Sequence, residues 1–86
     1  MKVITNEVEN EGLVSLMGET VTLMCANYFY TGKLVGVNDS CVKLADPKIV
    51  YETGDWSNKD WKDAQSLNAE FYYVQCSAIE SFGVLK

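Results

Sequence analysis

The run Gly32-Lys33-Leu34-Val35-Gly36-Val37 sets two glycines inside one short stretch of strand-forming residues. A glycine within a strand marks a sharp bend or a close pass by a neighbouring backbone, so the run predicts a tightly curved sheet. The flanking residues extend that reading. Upstream, Val21, Leu23 and Cys25 alternate with Thr22, Met24 and Ala26. The second of these faces is not strongly polar, which predicts cover on both sides of the strand. Asn27-Tyr28-Phe29-Tyr30 is expected to make an aromatic turn into the glycine-bearing strand. Downstream, Asn38-Asp39-Ser40 is a turn signal, and a third strand is expected from Cys41 to Ala45.

Asp46 and Pro47, the latter the only proline, predict a break or bulge before β character resumes at Ile49-Val50-Tyr51. Residues 53–67 form a polar insert carrying Trp56 and Trp61. Ser57 with Asp60 three residues later resembles a capping box, which predicts a short helix over 58–65. Phe71-Tyr72-Tyr73-Val74-Gln75-Cys76 has strong strand propensity, and Ile79 to Phe82 gives a last short strand. Ahead of all this, Thr5 or Asn6 could cap a helix reaching Met17, interrupted at Gly12. A short helix and an irregular lead-in are both open there. The sum is one all-β domain over 1–86, a small five-stranded and strongly bent barrel.

Composition narrows the chemistry. The chain carries a formal net charge of −5, its seven basic residues are all lysines, and it has no histidine. Without arginine it lacks the fork that reads phosphate and guanine bidentately, and the acidic total repels a nucleic-acid backbone. Without histidine, Ser-His-Asp and Cys-His catalysis are excluded and zinc loses its commonest nitrogen ligand. Cys25, Cys41 and Cys76 are odd in number and show no CxxC spacing, so they read as small buried hydrophobes rather than a disulfide frame. The sequence shows no apolar leader and no run of membrane-spanning length. The expectation is a cytoplasmic protein that is not an enzyme and uses no cofactor or metal.

At this point the residues resemble the Sm-like (LSm) family. Gly18, Val21 and Leu23 match the opening of its first motif, and Gly32-Lys33-Leu34 matches the centre. Asp39-Ser40-Cys41-Val42-Lys43-Leu44 matches the end, with one extra residue between Gly32 and Asp39. The second motif falls on Val74-Gln75-Cys76-Ser77-Ala78-Ile79, where only the outer apolar positions are kept. The resemblance implies an N-terminal helix, five bent strands, and rings formed by edge-strand pairing between subunits. The edges it implies here are 71–76 and 79–82.

The resemblance also implies where RNA would bind: Cys41, Lys43 and Gln75 occupy the family's uridine-pocket positions, and Asp39 the position that braces the loop. Cysteine offers no stacking face, which is worth about 1–3 kcal/mol per base. Lysine cannot accept a hydrogen bond from a base edge, and Gln75 lacks the positive charge of the family's arginine. The expectations are therefore a ring-forming module with weak or altered RNA binding, or a scaffold ring that meets other proteins. Tyr28, Phe29 and Tyr30 are candidates for stacking or for a subunit contact. Trp56 and Trp61 are candidates for a partner contact or for capping the barrel end. Lys33, Lys43 and Lys48 either line one basic surface or are scattered and solvated.

Overall fold

The computed structural model describes residues 12–86, which form one antiparallel sheet of six strands. The strands are β1 (Thr20–Cys25), β2 (Phe29–Val37), β3 (Cys41–Glu52), β4 (Asp63–Ser66), β5 (Phe71–Gln75) and β6 (Ile79–Gly83). Their order is β4-β3-β2-β1-β6, and β5 pairs with the free part of β3. The all-β expectation holds, with one strand more than the five foreseen. The sheet is not closed: β5 and β6 follow each other through a three-residue 3-10 turn, Cys76–Ala78, yet do not pair.

Among the described residues only the short 3-10 turn, through Leu13 and Leu16, packs on the sheet from outside it, so the sheet buries its face chiefly by curling around it. Val21, Leu23, Leu34, Val42 and Leu44 are each 0 % exposed, and with Val74 they form one cluster drawn from β1, β2, β3 and β5. The curl is made in β2. Its pairing with β3 slips between Thr31 and Lys33 and again between Leu34 and Gly36, and such bulges sharpen bend and twist. Gly32 lies at the first slip. A Cβ there would stand 2.9 Å from the Ala45 carbonyl oxygen and 3.1 Å from Leu44 Cβ, so only a glycine lets the two strands close up.

The break expected at Asp46-Pro47 is a kink within one continuous strand. Asp46 takes φ 50°, and β3 runs through it for twelve residues. The kink divides the labour of β3: its first half pairs with β5 and its second half with β4. The helix expected over 58–65 does not form. Asp55 accepts from the Ser57 amide and hydroxyl at 2.9 and 2.8 Å, which makes Ser57 part of a turn rather than a helix cap. Residues 63–66 are instead recruited as β4 along Lys48–Glu52. Phe29 and Tyr30 likewise belong to β2, so the turn is shorter than foreseen. The helix proposed from Thr5 or Asn6 lies largely outside the described residues; within them, Leu13–Leu16 is a single 3-10 turn.

Cover on both faces of β1 is observed. Thr22 and its cross-strand neighbour Thr31 point away from the apolar cluster and are nonetheless buried. The insert and the residues after β6 lie over this outer face, since Asp60, Trp61 and Lys86 share a cavity with Thr20, Thr31 and Lys33. Thr31 Oγ1 donates to the Val21 carbonyl at 2.9 Å, whereas Thr22 Oγ1 has no hydrogen-bond partner.

Two substitutions should therefore move stability in opposite directions. Gly32→Ala forces a methyl onto the Ala45 carbonyl and should cost roughly 1–3 kcal/mol in urea unfolding. Thr22→Val removes an unsatisfied hydroxyl at nearly constant volume and should be neutral or stabilising by about 1 kcal/mol. A stabilising Gly32→Ala would show that the strands do not approach as described.

Candidate functional site

The outer side of the β3–β5 ladder gathers three of the four residues that the resemblance marked for RNA. The register sets Cys41 opposite Gln75, Lys43 opposite Tyr73 and Ala45 opposite Phe71. Residues two apart share a face, so Cys41, Lys43, Phe71, Tyr73 and Gln75 stand on one surface while Val42, Leu44 and Val74 line the core. The Lys43 ammonium lies 4.1 Å from the Phe71 ring centre and 5.9 Å from that of Tyr73. This is a cation held over two exposed rings on an edge strand.

Asp39 is not joined to this surface by any side-chain hydrogen bond found among the described residues. The turn between β2 and β3 is braced by Asn38. Its Oδ1 accepts from the Ser40 amide, the Ser40 hydroxyl and the Cys41 amide at 2.8, 3.1 and 2.9 Å. The Asn38 carbonyl in turn faces the Cys76 thiol at 3.6 Å.

The aromatic residues 28–30 do not form one surface. Tyr28 meets Tyr51 edge to face at 5.7 Å, Phe29 is opposite Val50, and Tyr30 packs on the core beside Tyr72 at 5.8 Å. Burial, with Tyr72 as the next cause, pushes the Tyr30 phenol above its ordinary value. Tyr28 and Tyr30 do share a cleft of about 470 Å³ with Cys25, Tyr73, Gln75 and Glu80, in the gap between β5 and β6. Burial there, and then the Glu80 carboxylate, push the Cys25 thiol up, which lowers its thiolate fraction and its nucleophilicity.

Trp56 and Trp61 meet each other edge to face at 5.8 Å, with Lys86 over both rings. Lys33 and Lys48 line the cavity beside Trp61, while Lys43 lies over the Phe71 ring. Among the described residues, no group of three or more His, Cys, Asp or Glu side chains is placed to hold a metal, and no helix is long and apolar enough to cross a membrane. Comparison with known proteins found no matching family model, no matching curated protein and no matching solved structure.

Sequence reasoning named Lys43 and Gln75 but missed Phe71 and Tyr73 as their companions. The period of two in β5 could have found them once the β3–β5 register was known. Lys86 carried no local signal, because the carbonyls it meets are 26 to 33 residues away.

The Asp55 turn gives this region a pH signature. The Ser57 amide, then its hydroxyl, and the Lys86 ammonium hold the Asp55 carboxyl below the ordinary carboxylate range. A folded-state value below the unfolded one means that its contribution is present at neutral pH and is lost as pH falls through the lowered value. An NMR titration of the Asp55 side-chain carbon should give a midpoint below about 3.9, the value for an unperturbed aspartate. A midpoint at or above it would contradict the turn.

Proposed function

We propose that this chain is an assembly module on an Sm-like small barrel, left open between β5 and β6, that joins copies of itself into a ring. The observation that carries this reading is the open edges of β5 and β6, two of the three strands, with β4, that have a single neighbour among the described residues. Among the described residues β5 has only β3 beside it and β6 has only β1, although the two are consecutive and separated by three residues. Each therefore presents a row of unpaired amides and carbonyls, with Phe71, Tyr72, Tyr73 and Phe82 exposed around them. Two different edges that suit each other make a head-to-tail contact, and a head-to-tail contact that repeats by a constant rotation closes a ring. The order of elements fits the reading drawn from the sequence resemblance: a helical turn, a curled sheet whose last strand returns to β1, and a 3-10 turn before that strand.

The module acts as a scaffold rather than a catalyst. Its cysteines are unpaired and partly buried, and the cleft between β5 and β6 raises the Cys25 thiol instead of activating it. The net charge of −5 argues against a nucleic-acid ligand as the main business of the ring. A second reading, weak binding of single-stranded RNA, draws support from one feature. Phe71 and Tyr73 are stacking faces two residues apart, and Lys43 lies between them as a phosphate contact.

The hydrogen-bond phase of β5 supplies a clean test of assembly. The Cys76 amide donates to the Ser40 carbonyl, so by the alternation of an antiparallel ladder Val74 and Tyr72 direct their amides at β3. Phe71, Tyr73 and Gln75 direct theirs outward. Gln75 has φ −68°, which a proline adopts without strain. Gln75→Pro should thus leave the subunit folded by circular dichroism while lowering the mass seen by light scattering. The parent chain should scatter as a multiple of 9.6 kDa at tens of micromolar. A parent mass of one chain would end the ring reading. For the second reading, a labelled oligouridine should bind at low salt and weaken as salt rises, with Lys43→Ala reducing the slope. Absence of binding at low salt would remove RNA as a ligand.

A further inference from the structure

The densest polar constellation outside the sheet is in the insert, and the assembly reading makes no use of it. The Lys86 ammonium donates to the Thr53 carbonyl at 2.6 Å and to the Asp55 carbonyl at 3.0 Å, with the Asp60 carbonyl at 3.5 Å. Its remaining surroundings are aromatic: the Trp61 ring centre is 4.7 Å away and that of Trp56 is 5.3 Å. Three acceptors match the three N–H bonds of a primary ammonium, and two indole rings attract its residual charge. A quaternary ammonium has no N–H to give to the carbonyls. A guanidinium spreads its donors in a plane rather than over a tripod.

The loop holds this shape by bonds of its own. The Lys62 amide donates to the Thr53 carbonyl at 3.3 Å, and the Asn58 amide donates to the Asp55 carbonyl at 3.0 Å. Ser57 is tied to the Asp55 carboxylate, and Gly54 takes φ 70° to turn the chain between Thr53 and Asp55. None of these contacts involves Lys86. Removing its side chain should leave a formed and vacant receptor, and the Trp61 side of it opens onto a cavity of about 340 Å³.

We propose that the loop 53–61 is a binding site for primary alkylammonium groups, the chemistry of a lysine side chain, and that Lys86 is its tethered occupant. The tether is short, because only Val84 and Leu85 separate Lys86 from the end of β6. A short flexible tether supplies an effective concentration on the order of millimolar, so an incoming ammonium must compete with Lys86 for the loop.

Tryptophan fluorescence reads the site directly, and it does so independently of whether the chain forms rings. The full-length chain, Lys86→Ala and Lys86→Met are titrated with n-butylammonium and with tetramethylammonium at constant ionic strength and neutral pH. Circular dichroism checks that each variant stays folded, and Lys86→Met retains an unbranched apolar side chain without the ammonium. The expected result is a saturable change with n-butylammonium in both variants. The parent should need about tenfold more of it or higher, as expected for a tethered competitor. Tetramethylammonium should give a weaker response, and adding Trp61→Ala to Lys86→Met should abolish the response to n-butylammonium. No saturable change in a folded Lys86 variant would overturn the proposal. So would equal affinity for the two cations, or equal affinity in parent and variants.

Discussion

The structure depends on one constraint: among the described residues, a single sheet must supply most of the wall around its own core. Among the described residues the 3-10 turn Leu13–Leu16 adds only Leu13 and Leu16 to the cluster, so Leu23, Leu34, Val42 and Leu44 leave water chiefly because the sheet wraps around them. The close approach of β2 and β3 at Gly32 makes the wrap, and the two register slips in β2 give it its pitch. The kink at Asp46 then lets β3 present its two halves to two different partners. Curl, kink and core are thus one device rather than three.

The same wrap leaves β5 and β6 as unpaired margins. Their linker of three residues, Cys76–Ala78, turns the chain from the β3 side of the sheet to the β1 side without bringing the strands into a ladder. An open margin of this kind is a liability for a monomer and a resource for an assembly. The cleft between the margins, with Tyr28, Tyr30 and Tyr73 among its walls, adds apolar area that a neighbouring strand could cover. A core this small also has much to gain from burial against a second copy.

Much of the fold was legible because it rests on local alternation. Val21, Leu23 and Cys25 declared the inner face of β1, Asn38-Asp39-Ser40 declared the turn, and the two glycines declared the bend. What was not legible rests on partners distant in sequence. Asp63-Ala64-Gln65-Ser66 has no strand propensity and becomes β4 because Lys48–Glu52 offers it a free edge. The Ser57 and Asp60 spacing suggested a cap, but Asp55 claims Ser57 first. At the site, Lys43 and Gln75 were visible through the family resemblance, whereas their aromatic neighbours needed the register. The Lys86 contact with the insert had no trace in the sequence at all, since nothing near Lys86 foretells which carbonyls it will reach.

Pairing of the β5 margin with another copy is tested most directly by backbone hydrogen exchange followed over a dilution series. The amides of Phe71, Tyr73 and Gln75 point away from β3, and no other strand among the described residues of one chain pairs with them. They should exchange slowly where the protein is concentrated and quickly where it is dilute, while Tyr72 and Val74 stay protected throughout. If those three outward amides exchange quickly at every concentration, the margin is unpaired in solution and the chain does not assemble through it.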